Sequence, residues 1–240
     1  MKFRVEIIGS FTMNLPVIQT HNNISFPDVE QALLEPDGLL AMGGDLSVKR
    51  LLSAYSSGIF PWFSDGEPIL WWSPNPRMVL FPEYFKCSKS LKKSINNKKF
   101  QVIYNRNFLN VMKQCSKPRP LQQGTWITEE MLYAYQQLHL AGYAHSVETW
   151  LDGKLVGGLY GIAIGRVFFG ESMFSIERDA SKVALFHLSE TLKTKQFVVI
   201  DCQVYSKHLD SLGAFCIPRN EFIKLLKHAC IPADKLVFTG

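Results

Sequence analysis

The chain has 240 residues, 47% of them apolar and 20% charged, which is the balance of an ordinary globular protein with a sizeable core. No apolar run approaches the roughly 20 residues that span a bilayer, and Glu6 interrupts the apolar stretch behind Lys2 and Arg4, so neither a membrane span nor a signal peptide is expected. Five cysteines without a CxxC pair, and six histidines without an HxxxH pair, argue against a disulfide framework or a metal site and suit a reducing, cytoplasmic compartment.

The first 24 residues show no clear period and read as loosely held, with Met13 a second plausible start. A helical pattern over residues 28–34 stops at Pro36 and Gly38, and a second, over residues 45–58, has Asp45 as its N-cap. Four prolines between Gly58 and Arg77 impose extended chain and turns on an aromatic-rich stretch. Residues 77–81 read as a strand, 88–97 as a basic helix, 100–104 as a strand and 107–115 as a helix. Thr128 caps a helix to Leu140, with Glu129 and Glu130 well placed in its first turn. Residues 145–151 and 155–164 flank the turn Asp152-Gly153 as a hairpin, and residues 167–171 follow as another strand. A helix over residues 181–195, a buried strand over 197–204 and a helix over 219–229 complete the pattern. The order predicts an α+β fold, divided into a small N-terminal α/β domain over residues 1–75 and a larger domain over 76–240, and the second start at Met13 sets residues 1–12 apart from the working fold.

The net charge of +5 is unevenly placed. Ten cations and no acid fall between Tyr84 and Thr128, leaving sixteen cations against twenty-one acids elsewhere. Such a segment, which includes Lys86, Lys89, Lys92, Lys93, Lys98 and Lys99, is what a phosphate backbone would require, although a solvated basic face has the same composition. Three clusters bear chemistry. Glu171 ends an apolar strand, where an unpaired carboxylate would be costly. Asp201 and Gln203, two apart in a strand, are expected on one face and Cys202 on the other, so the pair can hold an amine while the thiol is buried. Phe60, Trp62, Phe63, Trp71, Trp72 and Trp126 form an aromatic cluster whose planes, beside a cationic segment, suit stacking on unpaired bases; core packing is the stronger reading for any single Trp, and Trp71 and Trp72 go first to the core or a domain interface.

The blocks PDGLLAMGGDLS from Pro36, GIFPWF from Gly58, ILWWSPNPR from Ile69, GTWIT from Gly124, HSVETW from His145, LVGGLYG from Leu155, FGESMFS from Phe169, DCQ from Asp201 and SLGA from Ser211 occur in an order no common fold demands. In them the chain resembles the leucyl/phenylalanyl-tRNA–protein transferase family. The resemblance implies a GNAT-like acyltransferase domain at the C-terminal side that moves Leu, Phe or, less well, Met from aminoacyl-tRNA to proteins beginning with Arg or Lys, marking them for degradation. It places Asp201 and Gln203 on the catalytic strand, Glu171 against the acceptor, Trp62 and Trp126 by the terminal adenosine, and Leu159, Met173, Leu188 and Ile200 around the aminoacyl side chain. No cofactor and no metal are implied. The alternatives are an acyl-CoA-dependent N-acyltransferase of the same fold, disfavoured because residues 174–182 lack the glycines of a pyrophosphate turn, and a non-catalytic tRNA-binding module.

Overall fold

A computed structural model describes residues 2–6, 12–20, 24–97, 99–117 and 125–231, with side chains described from Leu15 onward. Lys98, Arg119 and Gly124 lie outside the described residues.

Strand β1 (Lys2–Glu6) pairs antiparallel with β2 (Thr12–Ile18), and β2 runs parallel to β3 (Leu39–Gly43). The opening segment is thus less loose than its sequence suggests: Leu15 and Ile18 are buried, and Val17 registers with Met42. Residues 28–34 form only a 3-10 turn, Val29–Gln31, with Asp28 accepting from the Glu30 amide. The following helix α1 (Val48–Ser56) starts later than expected because Ser47 is its cap, accepting from the Arg50 amide; Asp45 instead forms a turn with Ser47 and an ion pair with Arg50. Strands β4 (Phe60–Pro61) and β5 (Leu70–Trp72) close a five-stranded sheet in the order β1-β2-β3-β5-β4.

The rest of the chain builds a seven-stranded sheet. It comprises β6 (Arg77–Leu80), α2 (Lys89–Asn97), β7 (Gln101–Tyr104), α3 (Phe108–Cys115), α4 (Glu129–Leu140), β8 (Ala144–Leu151), β9 (Lys154–Ile164), β10 (Val167–Ser175), α5 (Ala180–Thr194), β11 (Val199–Gln203), α6 (Lys207–Asp210), β12 (Phe215–Ile217) and α7 (Arg219–Ala229). Its strand order is β12-β6-β11-β10-β9-β8-β7, antiparallel except where β10 meets β11. The α+β class expected from the sequence is what the chain adopts.

Two apolar cores flank this sheet. Helices α3 and α4 pack on one face, and that core continues into α1 and the five-stranded sheet through Tyr55, Trp71 and Phe60. Helices α5 and α2 cover the other face, around Leu159, Phe168, Leu188 and Leu91. Helix α5 seats closely on β9 because Gly157 has no side chain; a Cβ there would lie 2.5 Å from that of Ala180.

Candidate functional site

Strands β10 and β11 stay together for only three register pairs, from Val167↔Val199 to Phe169↔Asp201. Beyond that point β10 follows β9 to Ser175, while β11 follows β6 to Gln203. Each strand also carries a bulge where they part, β10 between Gly170 and Ser172, β11 between Asp201 and Gln203. Bulges re-aim side chains at such places. A cavity of about 1130 Å³ opens at the parting and reaches both faces of the sheet.

On the α5 face its wall is apolar. Leu159 and Met173 are cross-strand partners on β9 and β10, and Leu185 and Leu188 from α5, Phe168 and Ile200 complete the surface. All four residues assigned to the aminoacyl side chain are therefore together. On the α3–α4 face the lining is polar and aromatic, with Glu171, Tyr160, Cys115, Trp126, Trp62, Asp65 and Lys117. Trp62 stands 43% exposed at the rim, its carbonyl accepting from the Trp72 indole at 2.7 Å. Trp71, by contrast, is wholly buried, and its indole donates to the Gly43 carbonyl.

Glu171 projects from the bulge into a ring of tyrosines. Tyr55 on α1 donates to its Oε1 at 2.7 Å and Tyr135 on α4 to its Oε2 at 2.9 Å; the two hydroxyls also touch each other. These donors answer the solvation problem that an apolar strand poses for a carboxylate. Burial nonetheless dominates: it raises the Glu171 carboxyl to about 7, with the charge of Asp201 adding and the tyrosine hydrogen bonds and Arg77 opposing. Burial, and then the charge of Glu171, hold the Tyr55, Tyr135 and Tyr160 phenols well above their ordinary value.

Asp201 does not line the cavity. It is fully buried behind it and accepts two hydrogen bonds from Arg77, Nε to Oδ1 at 2.8 Å and Nη2 to Oδ2 at 2.7 Å. The Arg77 guanidinium lies between the rings of Phe60 and Phe222, at 4.9 and 4.8 Å, and donates to the Gly58 carbonyl. Asp201 Oδ1 also accepts from the backbone amide of Gln203 at 3.0 Å. That bond caps Gln203 in a left-handed conformation, φ 59°, which is unfavourable for a residue with a Cβ and common at functional sites. Strand alternation predicts Asp201 and Gln203 on one face and Cys202 on the other. Cys202 does lie opposite Asp201, packed on the α5 side with Ile200, but the bulge parts Gln203 from Asp201, so Gln203 lines the cavity while Asp201 turns to Arg77. Burial, then Asp201, drive the Cys202 thiol well up, so it stays protonated and is a poor nucleophile. The Gln203 Nε2 is a buried donor with no partner among the described residues.

The basic segment lies elsewhere. Lys89, Lys92 and Lys93 are exposed on α2, which Leu91 anchors to the α5 core, and Lys86 and Lys99 are exposed beside it. None of these five lines the cavity; Lys117 does. The tyrosine ring and the Arg77 partnership escape sequence reasoning, since each depends on residues far apart in the chain, as Tyr55 and Glu171 are.

Two lobes of opposite character that meet at one carboxamide define the site of a two-substrate group-transfer enzyme. The comparisons agree. A family model for leucyl/phenylalanyl-tRNA protein transferase matches residues 79–227, and one for the N-terminal domain of that family matches residues 44–75. Curated proteins named leucyl/phenylalanyl-tRNA–protein transferase are similar to this chain. That of Nitrosospira multiformis is 58% identical over 202 residues, 84% of this chain and 87% of the relative. That of Chromobacterium violaceum is 57% identical over 202 residues, with the same coverage of 84% and 87%. The chain belongs to the leucyl/phenylalanyl-tRNA–protein transferase family, a family of aminoacyltransferases.

Solved structures are more distant. L-PGS from Bacillus licheniformis has a TM-score of 0.38 at 12% identity, covering 72% of this chain and 57% of that one. A ribosomal-protein-alanine N-acetyltransferase from Brucella melitensis has a TM-score of 0.34 at 13% identity, covering 59% and 98%. At these values neither likeness bears on what this chain does.

Proposed function

We propose that the protein transfers Leu, Phe or, less well, Met from aminoacyl-tRNA to the N-terminal amine of proteins beginning with Arg or Lys, in the cytoplasm, and so marks them for degradation. In this reading residues 76–240 are a GNAT-like acyl-transfer domain and residues 1–75 a smaller partner to it. The observation that carries the reading is the two-lobed cavity, with an apolar wall for the donor's side chain and a tyrosine-ringed carboxylate for a cationic acceptor. Trp62 and Trp126 offer ring faces to the terminal adenosine at the rim. The lysines of α2, with Lys86, Lys98 and Lys99, contact the tRNA backbone.

The donor ester is already activated, so positioning does most of the work; orienting two reactants is worth about 7–11 kcal/mol. The acceptor amine, with an ordinary pKa of about 7.7–8, is partly neutral at cellular pH. Its nitrogen attacks the ester carbonyl, the new C–N bond forms, the C–O bond to the ribose breaks, and the ribose oxygen leaves with a proton. Gln203 holds the attacking amine through its carboxamide oxygen. Asp201 is a positioning residue, holding Gln203 through the backbone amide, and its engagement by Arg77 favours a proton route through the ribose hydroxyl rather than through Asp201.

An acyl-CoA enzyme of the same fold is disfavoured by Asp179. This residue stands at the N-terminus of α5, bonded to Ser94 and paired with Lys182, and puts a carboxylate where a pyrophosphate would need cationic or neutral ground. Incubation with radiolabelled Leu-tRNA and a peptide beginning with Arg decides the matter. Label in the peptide is the expected result; tRNA retention without transfer would leave only a binding module, and neither signal would favour the CoA enzyme.

A further inference from the structure

Tyr160 sits on β9 next to Leu159, on the opposite face of the sheet. Its ring stands edge-on to Phe108, 6.0 Å away, and to Tyr135, 5.8 Å away, and the side chain is completely buried. Its hydroxyl has no hydrogen-bond partner among the described residues, yet Tyr160 lines the cavity. Its neighbours Tyr55 and Tyr135 both spend their hydroxyls on Glu171. Tyr160 and Glu171 line the same cavity, and burial, then the charge of Glu171, then that of Cys115, raise the Tyr160 phenol well above its ordinary value, so it stays protonated.

A buried hydroxyl left unpaired destabilises a fold, so such a group in a cavity wall marks a contact that a ligand completes. The chemistry of that ligand follows from what surrounds it. Glu171 offers negative charge, but each of its oxygens already accepts one hydrogen bond. A guanidinium presents five N–H donors and an ammonium three, more than this carboxylate has lone pairs left to meet. A phenol oxygen beside it adds acceptor capacity without adding charge.

We propose that the Tyr160 hydroxyl oxygen is a second acceptor in the Glu171 lobe, taking a hydrogen bond from the cationic side chain of the acceptor's first residue and favouring arginine over lysine. The inference rests on the reading of this lobe as the acceptor's. Glu171 supplies the attraction to charge; Tyr160 reads the number and direction of the donors. Arginine's rigid planar fork is pre-organised to span two acceptors, whereas lysine must immobilise a flexible stem to hold its ammonium between them.

The test compares Tyr160→Phe and Glu171→Gln with the unaltered protein. It measures KM for peptides beginning with Arg and with Lys at saturating Leu-tRNA, the Kd for tRNA, and the melting temperature. Tyr160→Phe removes one oxygen and no ring contact. It is expected to raise KM for the Arg peptide about tenfold and for the Lys peptide by less, the loss of one hydrogen bond to a charged group, with tRNA affinity unchanged and melting temperature no lower. If Glu171→Gln raises both KM values and Tyr160→Phe raises neither, the inference fails and the acceptor reading stands. If neither variant moves KM, the acceptor reading fails and takes the inference with it. A lowered melting temperature in Tyr160→Phe, with tRNA affinity falling alongside KM, would assign the hydroxyl to the fold and overturn the inference.

Discussion

Arg77 and Asp201, 124 residues apart in the chain, form a two-pronged ion pair with side-chain exposures of 1% and 0%. The pair ties β6 to β11 directly behind Gln203, and through Gly58 and Phe60 it reaches the N-terminal part of the chain. Such a pair need not add net stability over an apolar replacement, but removing one partner leaves a buried charge uncompensated.

Asp201→Asn should therefore cost about 3–5 kcal/mol in denaturant unfolding, as well as loosening the Gln203 amide. The paired replacement Arg77→Met with Asp201→Leu is expected to recover much of that stability but little transfer activity, because the left-handed Gln203 still lacks its cap. Equal recovery of both would show that Asp201 contributes to the fold alone.

Glu171 gives the protein a distinctive pH dependence. Its carboxyl moves from 4.5 to about 7, chiefly through burial, so the folded state keeps a proton that the unfolded chain has already lost. This contribution is present in full below the lower value and is lost as pH rises through the upper one. Across pH values from about 5 to about 8, the melting temperature of the unaltered protein should fall relative to that of Glu171→Gln. Parallel curves for the two proteins would mean that Glu171 ionises in the ordinary range.

Leu188 is wholly buried on α5 and faces the apolar lobe. Leu188→Ala should lower stability by about 2–5 kcal/mol and enlarge the wall around the donor side chain. The rate ratio for Phe-tRNA over Leu-tRNA is expected to rise by about tenfold, a methylene-scale discrimination. An unmoved ratio would take Leu188 out of the donor site.

Reversal of Lys89, Lys92 and Lys93 to Glu together leaves Leu91 to hold α2, so the melting temperature should barely change. Affinity should fall for every tRNA about equally, and the slope of log K against log salt should flatten by about 2–3. Loss confined to one tRNA species would point to base recognition in place of charge.

What local sequence carries, it carried well here. Thr128 caps the helix it is expected to cap, Asp152-Gly153 turns the β8–β9 hairpin, and α7 runs over the residues expected. Features set by distant partners were hidden. Strand β10 runs on to Ser175 because β9 continues beside it, and β12, only three residues long, exists because β6 offers it an edge. Period-two alternation misplaces Gln203 because a bulge is a property of two paired strands. The residues that line the apolar lobe came from the family resemblance, since Leu, Met and Ile at those positions look like any other core. Tyr160 is hidden for the same reason: nothing in Leu-Tyr-Gly announces that its hydroxyl will be left unpaired.

The parting of β10 from β11 has a consequence at the level of the main chain. Past Phe169 the edge of β10 that faces β11 pairs with no strand among the described residues, so its amides and carbonyls stand beside the gap. Main-chain donors and acceptors at such an edge are supplied by any residue except proline, which lacks the amide hydrogen. Part of this site is thus written in the shape of the sheet, where sequence variation leaves no trace.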